Sequence, residues 1–244
     1  PKLEKENLKL CSGWYGANLL KNSVKKELSV MKEQLDLFKE CDAPCIVFAE
    51  VTGSIQGEVK TPLSKRPILN NEEWKNFYYK INEISKHMED SGMPLAYHHH
   101  MGTVVQSQED TERLIDNTSD TVRLLIDTGH MMFAGGDFVK VAKDYSSRLH
   151  HVHCKDIRKD VLENSLKDDL SFIDAFFAGA FTVPGDGCID YEIFLKLLKD
   201  FNYNGWLVVE AEQDPRKANP LEYGKIGFNH LKKIALNCGF DITR

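Results

Sequence analysis

The sequence has no uninterrupted apolar run of about 18 residues, which excludes a membrane-spanning helix. It has no Cys-x-x-Cys pair. Its six cysteines (Cys11, Cys41, Cys45, Cys154, Cys188 and Cys238) are scattered along 244 residues, a pattern that argues against a disulfide framework and for reduced, cytoplasmic thiols. Basic charge is not in excess: 31 Lys and Arg stand against 37 Asp and Glu, a formal net charge of -6. The usual electrostatic footprint of a nucleic-acid binder is therefore missing. No Gly-x-Gly-x-x-Gly follows an early apolar run, which argues against an open dinucleotide-binding sheet. No low-complexity stretch, linker or secretory signal pattern is visible, and the sequence opens at Pro1.

What is present is alternation. Short apolar runs at 8–15, 45–51, 95–103, 122–128, 150–155 and 206–212 read as strands. Between them, Ile, Leu, Val and Phe recur every three or four residues over 24–40, 72–88, 108–116, 138–144, 190–201 and 220–236, which reads as helix. Strand–helix alternation means parallel βαβ units, so the fold class is α/β. Six strands are visible, whereas a closed (β/α)8 barrel needs eight. The expectation is one TIM barrel domain over 1–244, N-terminally incomplete, with two βα units preceding Pro1.

In such folds the site lies at the carboxyl ends of the strands. Five of the six apolar runs bring acids or imidazoles to their ends: Glu50; His98, His99 and His100; Asp127 with His130 one helical turn on; His151, His153 and Asp156; Glu210 and Glu212. Taken singly, each has a bland reading. An Asp ending a strand commonly caps a helix, Lys155 is an ordinary candidate for a solvated surface lysine, and strand alternation turns His99 away from the face that His98 and His100 share. Together they deliver mixed Asp, His and Glu donors to one face, which suits Mn, Co, Fe, Zn or Mg.

Asp127-Thr-Gly-His130, His151-Val-His153 and Val208-Val-Glu210 resemble the xylose-isomerase-like barrel superfamily. Segments 48–57, 97–103, 151–156, 181–188 and 206–215 are more specifically similar to the myo-inosose-2 dehydratase family (2-keto-myo-inositol dehydratases). The resemblance implies a (β/α)8 TIM barrel of the xylose-isomerase-like type and a hydro-lyase acting on a cyclic polyol ketone in inositol catabolism. It also implies a divalent metal (Mn2+ or Co2+), a glutathione requirement and association into a homo-oligomer. Asp127, His153 and Glu210 match metal ligands of the superfamily. The fourth ligand is usually a Glu on the third visible strand, and here His98 stands in for it, with His100 second. His130 and Arg158 match substrate-touching positions, and Glu50 and Asp156 are further candidates to bind substrate hydroxyls. His100, His130, Lys155 and Glu212 are the candidate acid and base. Rival readings are a sugar isomerase or epimerase on the same barrel, a phosphodiesterase of the endonuclease IV kind, and a non-catalytic metal- or sugar-binding barrel.

Overall fold

A computed structural model describes residues 2–242. In chain order its strands are β1 (Trp14–Ala17), β2 (Ile46–Glu50), β3 (Leu95–His98), β4 (Val122–Asp127), β5 (Leu149–Cys154), β6 (Asp156–Ile157), β7 (Phe181–Thr182) and β8 (Leu207–Val209). The helices are α1 (Lys2–Lys5), α2 (Val24–Glu40), α3 (Asn71–Asp90), α4 (Gln108–Asp116), α5 (Thr128–Phe133), α6 (Phe138–Asp144), α7 (Lys159–Lys167), α8 (Phe172–Ala178), α9 (Tyr191–Asp200) and α10 (Pro220–Asn237). Six strands form one sheet in the order β1-β2-β3-β4-β5-β8, and every pairing is parallel. Among the described residues β1 and β8 do not pair, so the sheet stays open between them. β6 and β7 make a separate antiparallel pair. No helix among the described residues is long and apolar enough to cross a membrane.

Local sequence explains the elements. Every residue of β2 and β3 is buried, as expected of strands covered on both faces. Helix α2 starts where the Ser23 side chain accepts from the Lys26 N–H, and it buries Met31, Leu35 and Phe38 on one face. Helix α3 starts with a reciprocal Asn70–Glu73 capping box and buries Trp74, Phe77, Ile81, Ile84 and Met88. Each such cap stabilises its helix by about 1 kcal/mol. The two largest hydrophobic clusters lie under β1–β3 with α2 and α3, and between β4, β5 and β8 and helices α6, α9 and α10.

Three expectations are corrected. The first strand begins at Trp14, not near residue 8, because its pairing partner β2 begins only at Ile46 and segment 8–13 has no strand beside it. The third strand ends at His98, short of residue 103. Beyond it the chain turns: His100 N–H donates to the Val105 carbonyl, and Gly102 sits at φ +79°, where a Cβ would also strike the Gln56 backbone at 2.8 Å. Helices α5, α7 and α8 go unseen in the sequence because none carries a clean apolar stripe: α5 is buried nearly all round, α8 is apolar nearly throughout, and α7 buries only Leu162 and Ser165.

Candidate metal centre

Asp127 ends β4, and the next residue begins α5. Its two oxygens divide the work. Oδ1 accepts from the His130 N–H at 2.8 Å and caps the helix. Oδ2 is buried with no hydrogen bond and faces the barrel interior. The cap reading and the ligand reading are therefore compatible, one oxygen each.

Sheet register brings the other donors level. Asp127 lies beside His153 in the β4–β5 pairing, and His153 lies beside Val208 of β8, two residues before Glu210. The Glu210 N–H still bonds to Cys154 O at 3.2 Å, extending the strand direction past its last ladder residue. His98 closes the group from the end of β3. His98 Nε2 stands 3.6 Å from Asp127 Oδ2; His153 Nδ1 stands 3.6 Å from the same oxygen and 2.8 Å from Glu210 Oε2. One donor atom from each of the four residues falls within 4.8 Å of the others. His98 Nδ1 faces the His99 carbonyl at 2.5 Å, so the proton belongs on Nδ1 and the Nε2 lone pair is free. Asp127 Oδ2, His153 Nδ1 and Glu210 Oε2 are buried and lack aligned hydrogen bonds. Buried polar atoms normally find partners. Two imidazoles and two carboxylates aimed at one point fit a divalent cation of borderline or hard character.

A second group adjoins the first. His100 Nε2 is 3.7 Å from Glu212 Oε1, and His130 Nε2 is 3.2 Å from Glu212 Oε2. Between the groups lies Lys155, 1% exposed. Its Nζ is 2.7 Å from Glu212 Oε2, 2.9 Å from His130 Nε2, 3.3 Å from Asp127 Oδ2 and 3.2 Å from Glu210 Oε2. Gly129 makes room for it, because a Cβ there would meet Lys155 Cγ, Cβ and Cδ at 2.7–3.0 Å. The glycine of Asp-Thr-Gly-His is thus fixed by the lysine stem that crosses it.

The charges are mutually supporting. Burial opposes ionisation of Asp127, Glu210 and Glu212, but the Lys155 ammonium and the neighbouring imidazoles hold all three carboxyls below their usual range. Burial alone would lower Lys155; the three carboxylates raise it instead. Burial also works against protonation of His153, yet Glu210 and Asp127 carry its pKa up to about 9. Burial holds His130 down at about 3, so that ring is neutral.

Aromatic rings wall the site, and none of them is among the candidate residues named above. Trp14, 39% exposed, stands edge-on to His98 (5.4 Å) and His100 (5.3 Å). Phe172 packs against His100 at 5.2 Å, and Phe181 lies 5.4 Å from His130. Trp14 falls in the misplaced first strand and Phe172 in an unseen helix. His99 behaves as expected: its Nε2 accepts from the Asp127 N–H at 3.3 Å behind the site. His151 points away, its Nδ1 3.8 Å from Cys45 Sγ. A cavity of about 1550 Å³ lies elsewhere. It opens along the flank beside β8, lined by Leu10, Leu37, Leu207, Val209, Phe228 and Leu231. It reflects the open sheet edge, and it lacks the converging donors that mark the carboxyl-end site.

Three residues expected to bind substrate hydrogen-bond to neighbouring loops. Glu50 accepts from Leu19 N–H at 2.7 Å and Thr52 N–H at 2.8 Å, tying β2 to the loop after β1. Asp156 accepts from the N–H groups of Ile157, Gly185 and Ile189, and folds the loop that follows β7. Arg158 donates to Gly179 O, Thr182 Oγ1 and Asp186 Oδ2. Backbone groups and local partners engage these side chains.

The family model described as xylose isomerase-like TIM barrel matches residues 2–234. The chain belongs to the xylose isomerase-like TIM barrel family. An inosose dehydratase of Clostridium perfringens is 43% identical over 233 residues, covering 95% of this chain and 78% of that protein. The rhizopine catabolism protein MocC of Rhizobium meliloti is 42% identical over 241 residues, covering 99% of this chain and 74% of that protein. A crystal structure of IOLI protein with a bound zinc atom superposes with a TM-score of 0.68 over 96% of this chain and 78% of that one, at 16% identity. That likeness is one of fold. Family membership agrees with a site at the carboxyl ends of the parallel strands, where the His98, Asp127, His153 and Glu210 group lies.

Proposed function

We propose that this protein is a metal-dependent hydro-lyase that removes water from 2-keto-myo-inositol, giving 3,5/4-trihydroxycyclohexane-1,2-dione in inositol catabolism. The observation that carries the reading is the convergence of four buried donors, three of them without hydrogen bonds, in a chain 41–43% identical to proteins named inosose dehydratase. His98, Asp127, His153 and Glu210 would hold the cation, and the oxygen–nitrogen set suits manganese or cobalt. Six free thiols support a reducing, cytoplasmic setting.

When bound, a divalent cation supplies Lewis acidity toward ketone and hydroxyl oxygens, which makes the hydrogen α to the ketone removable. The proton transfers fall to the second group. Glu212 is held ionised and accepts the α-proton. The electron pair left on carbon forms the new C=C as the β-C–O bond breaks. Lys155 Nζ, held as an ammonium, protonates the departing hydroxyl, which leaves as water. The enol that remains tautomerises to the dione. His100 directs its Nδ1–H to the Met101 carbonyl at 2.8 Å and so offers Nε2 as a second acceptor beside Glu212. Phe172 and Phe181 shield these transfers from bulk water.

The test is incubation with 2-keto-myo-inositol and Mn2+ or Co2+, with and without glutathione, followed by ultraviolet absorbance and product NMR. The expected result is dione formation that EDTA abolishes and Mn2+ restores. Turnover indifferent to EDTA, or epimers without dione, refutes the reading.

A further inference from the structure

We propose that the Lys155 ammonium is the resident cation of the His100–His130–Glu212 group and closes that group to a second metal, so the site takes one divalent ion. The inference rests on the metal reading above. On donor type alone, both groups look like ligand sets: each brings its donor atoms within 4.8 Å of one another. Hydrogen bonding tells them apart. Lys155 Nζ hydrogen-bonds Glu212 Oε2 at 2.7 Å and His130 Nε2 at 2.9 Å, so two of the three donors of the second group are engaged. Toward the first group Nζ makes only ion-pair contacts, at 3.3 Å to Asp127 Oδ2 and 3.2 Å to Glu210 Oε2, and both oxygens keep no hydrogen bond. The lysine is thus docked in one cage and leaves the other free.

Geometry makes the exclusion strict. His130 Nε2 and Glu212 Oε2 are 3.2 Å apart. An ion at about 2.1 Å from both would lie no farther than about 3.7 Å from Nζ, whichever side it approached. A divalent ion that close to a buried ammonium is strongly repelled, and it would also have to displace both of the lysine's hydrogen bonds. With the ammonium gone, two imidazoles and a carboxylate remain, a sufficient set for a second ion.

The experiment counts metal in the whole protein, stripped by chelation, reloaded with excess Mn2+ and gel-filtered, with electron paramagnetic resonance as the second readout. Wild type is expected to hold one ion per chain with an uncoupled manganese spectrum. Lys155→Ala, and Lys155→Met, which keeps the apolar stem, are expected to rise to two with a spin-coupled spectrum. Adding Glu212→Ala to either returns the count to one. In the wild-type background His153→Ala is expected to hold none, because the second group stays closed. Two ions in wild type, one ion in His153→Ala, or a count of one in a folded Lys155 variant each overturns the inference. No metal in wild type instead refutes the metal reading itself.

Discussion

Two regions bury carboxylates at the carboxyl end of the sheet, and they treat them in opposite ways. Beside β1 and β2, Glu27 accepts from Tyr15 OH at 2.6 Å, Asn18 N–H at 3.0 Å and Asn22 Nδ2 at 2.7 Å, while Glu50 holds Leu19 and Thr52 N–H groups. Beside β4, β5 and β8, Asp127 Oδ2, His153 Nδ1 and Glu210 Oε2 are equally enclosed and have no hydrogen bonds. Burial and charge are alike in the two regions; the hydrogen bonding of the carboxylate oxygens differs. A filled carboxylate ties loops together, whereas an open one is free to take a cation.

The contrast is sharpest at Asp127. Asp127→Ala removes an open donor, so metal retention should be lost and turnover should fall about a thousand-fold, the equivalent of several kcal/mol of lost Lewis-acid stabilisation. Metal content and steady-state turnover check this, and a loaded, active variant would erase the distinction. Next in size is Glu27→Ala, which strands three donors. It should cost about 3 kcal/mol of stability in urea unfolding while the manganese count of the folded protein stays at one; loss of metal with unchanged stability would reverse the assignment. The smallest effect concerns pH. Burial pushes the Glu50 carboxyl up to about 7 from an ordinary 4.5, so the folded state holds its proton more tightly than the unfolded chain does. This contribution is complete below pH 4.5 and is lost as pH rises through 7. Between pH 5 and pH 8 the metal-free wild type should lose roughly 2 kcal/mol more than Glu50→Gln does. Equal slopes in the two proteins would mean that Glu50 ionises without strain.

The sequence was most legible where one physical rule dominates. Helices α2, α4 and α6 stand at the bounds their periodicity sets, because an apolar stripe and a side-chain cap agree at each. His98, Asp127, His153 and Glu210 were visible because apolar runs stop at polar residues where parallel strands end. The hydrogen-bond partners of Glu50, Asp156 and Arg158 were not visible in the same way: a strand-end position shows where a side chain starts, not which loop N–H groups will reach it. Those partners (Leu19, Gly185 and Ile189 among them) lie up to 33 residues away. Trp14 was missed because the first strand was drawn too early in the chain, and Phe172 and Phe181 because a seven-residue helix and a two-residue strand carry them.

Trp14 has a consequence of a practical kind. Of the three tryptophans, Trp74 is buried in the core under α3 and Trp206 precedes β8 on the open flank. Trp14 alone is in ring contact with two histidines of the site. Its indole is therefore a native fluorophore at the mouth of the barrel, and its emission reports on what enters there without any label being attached.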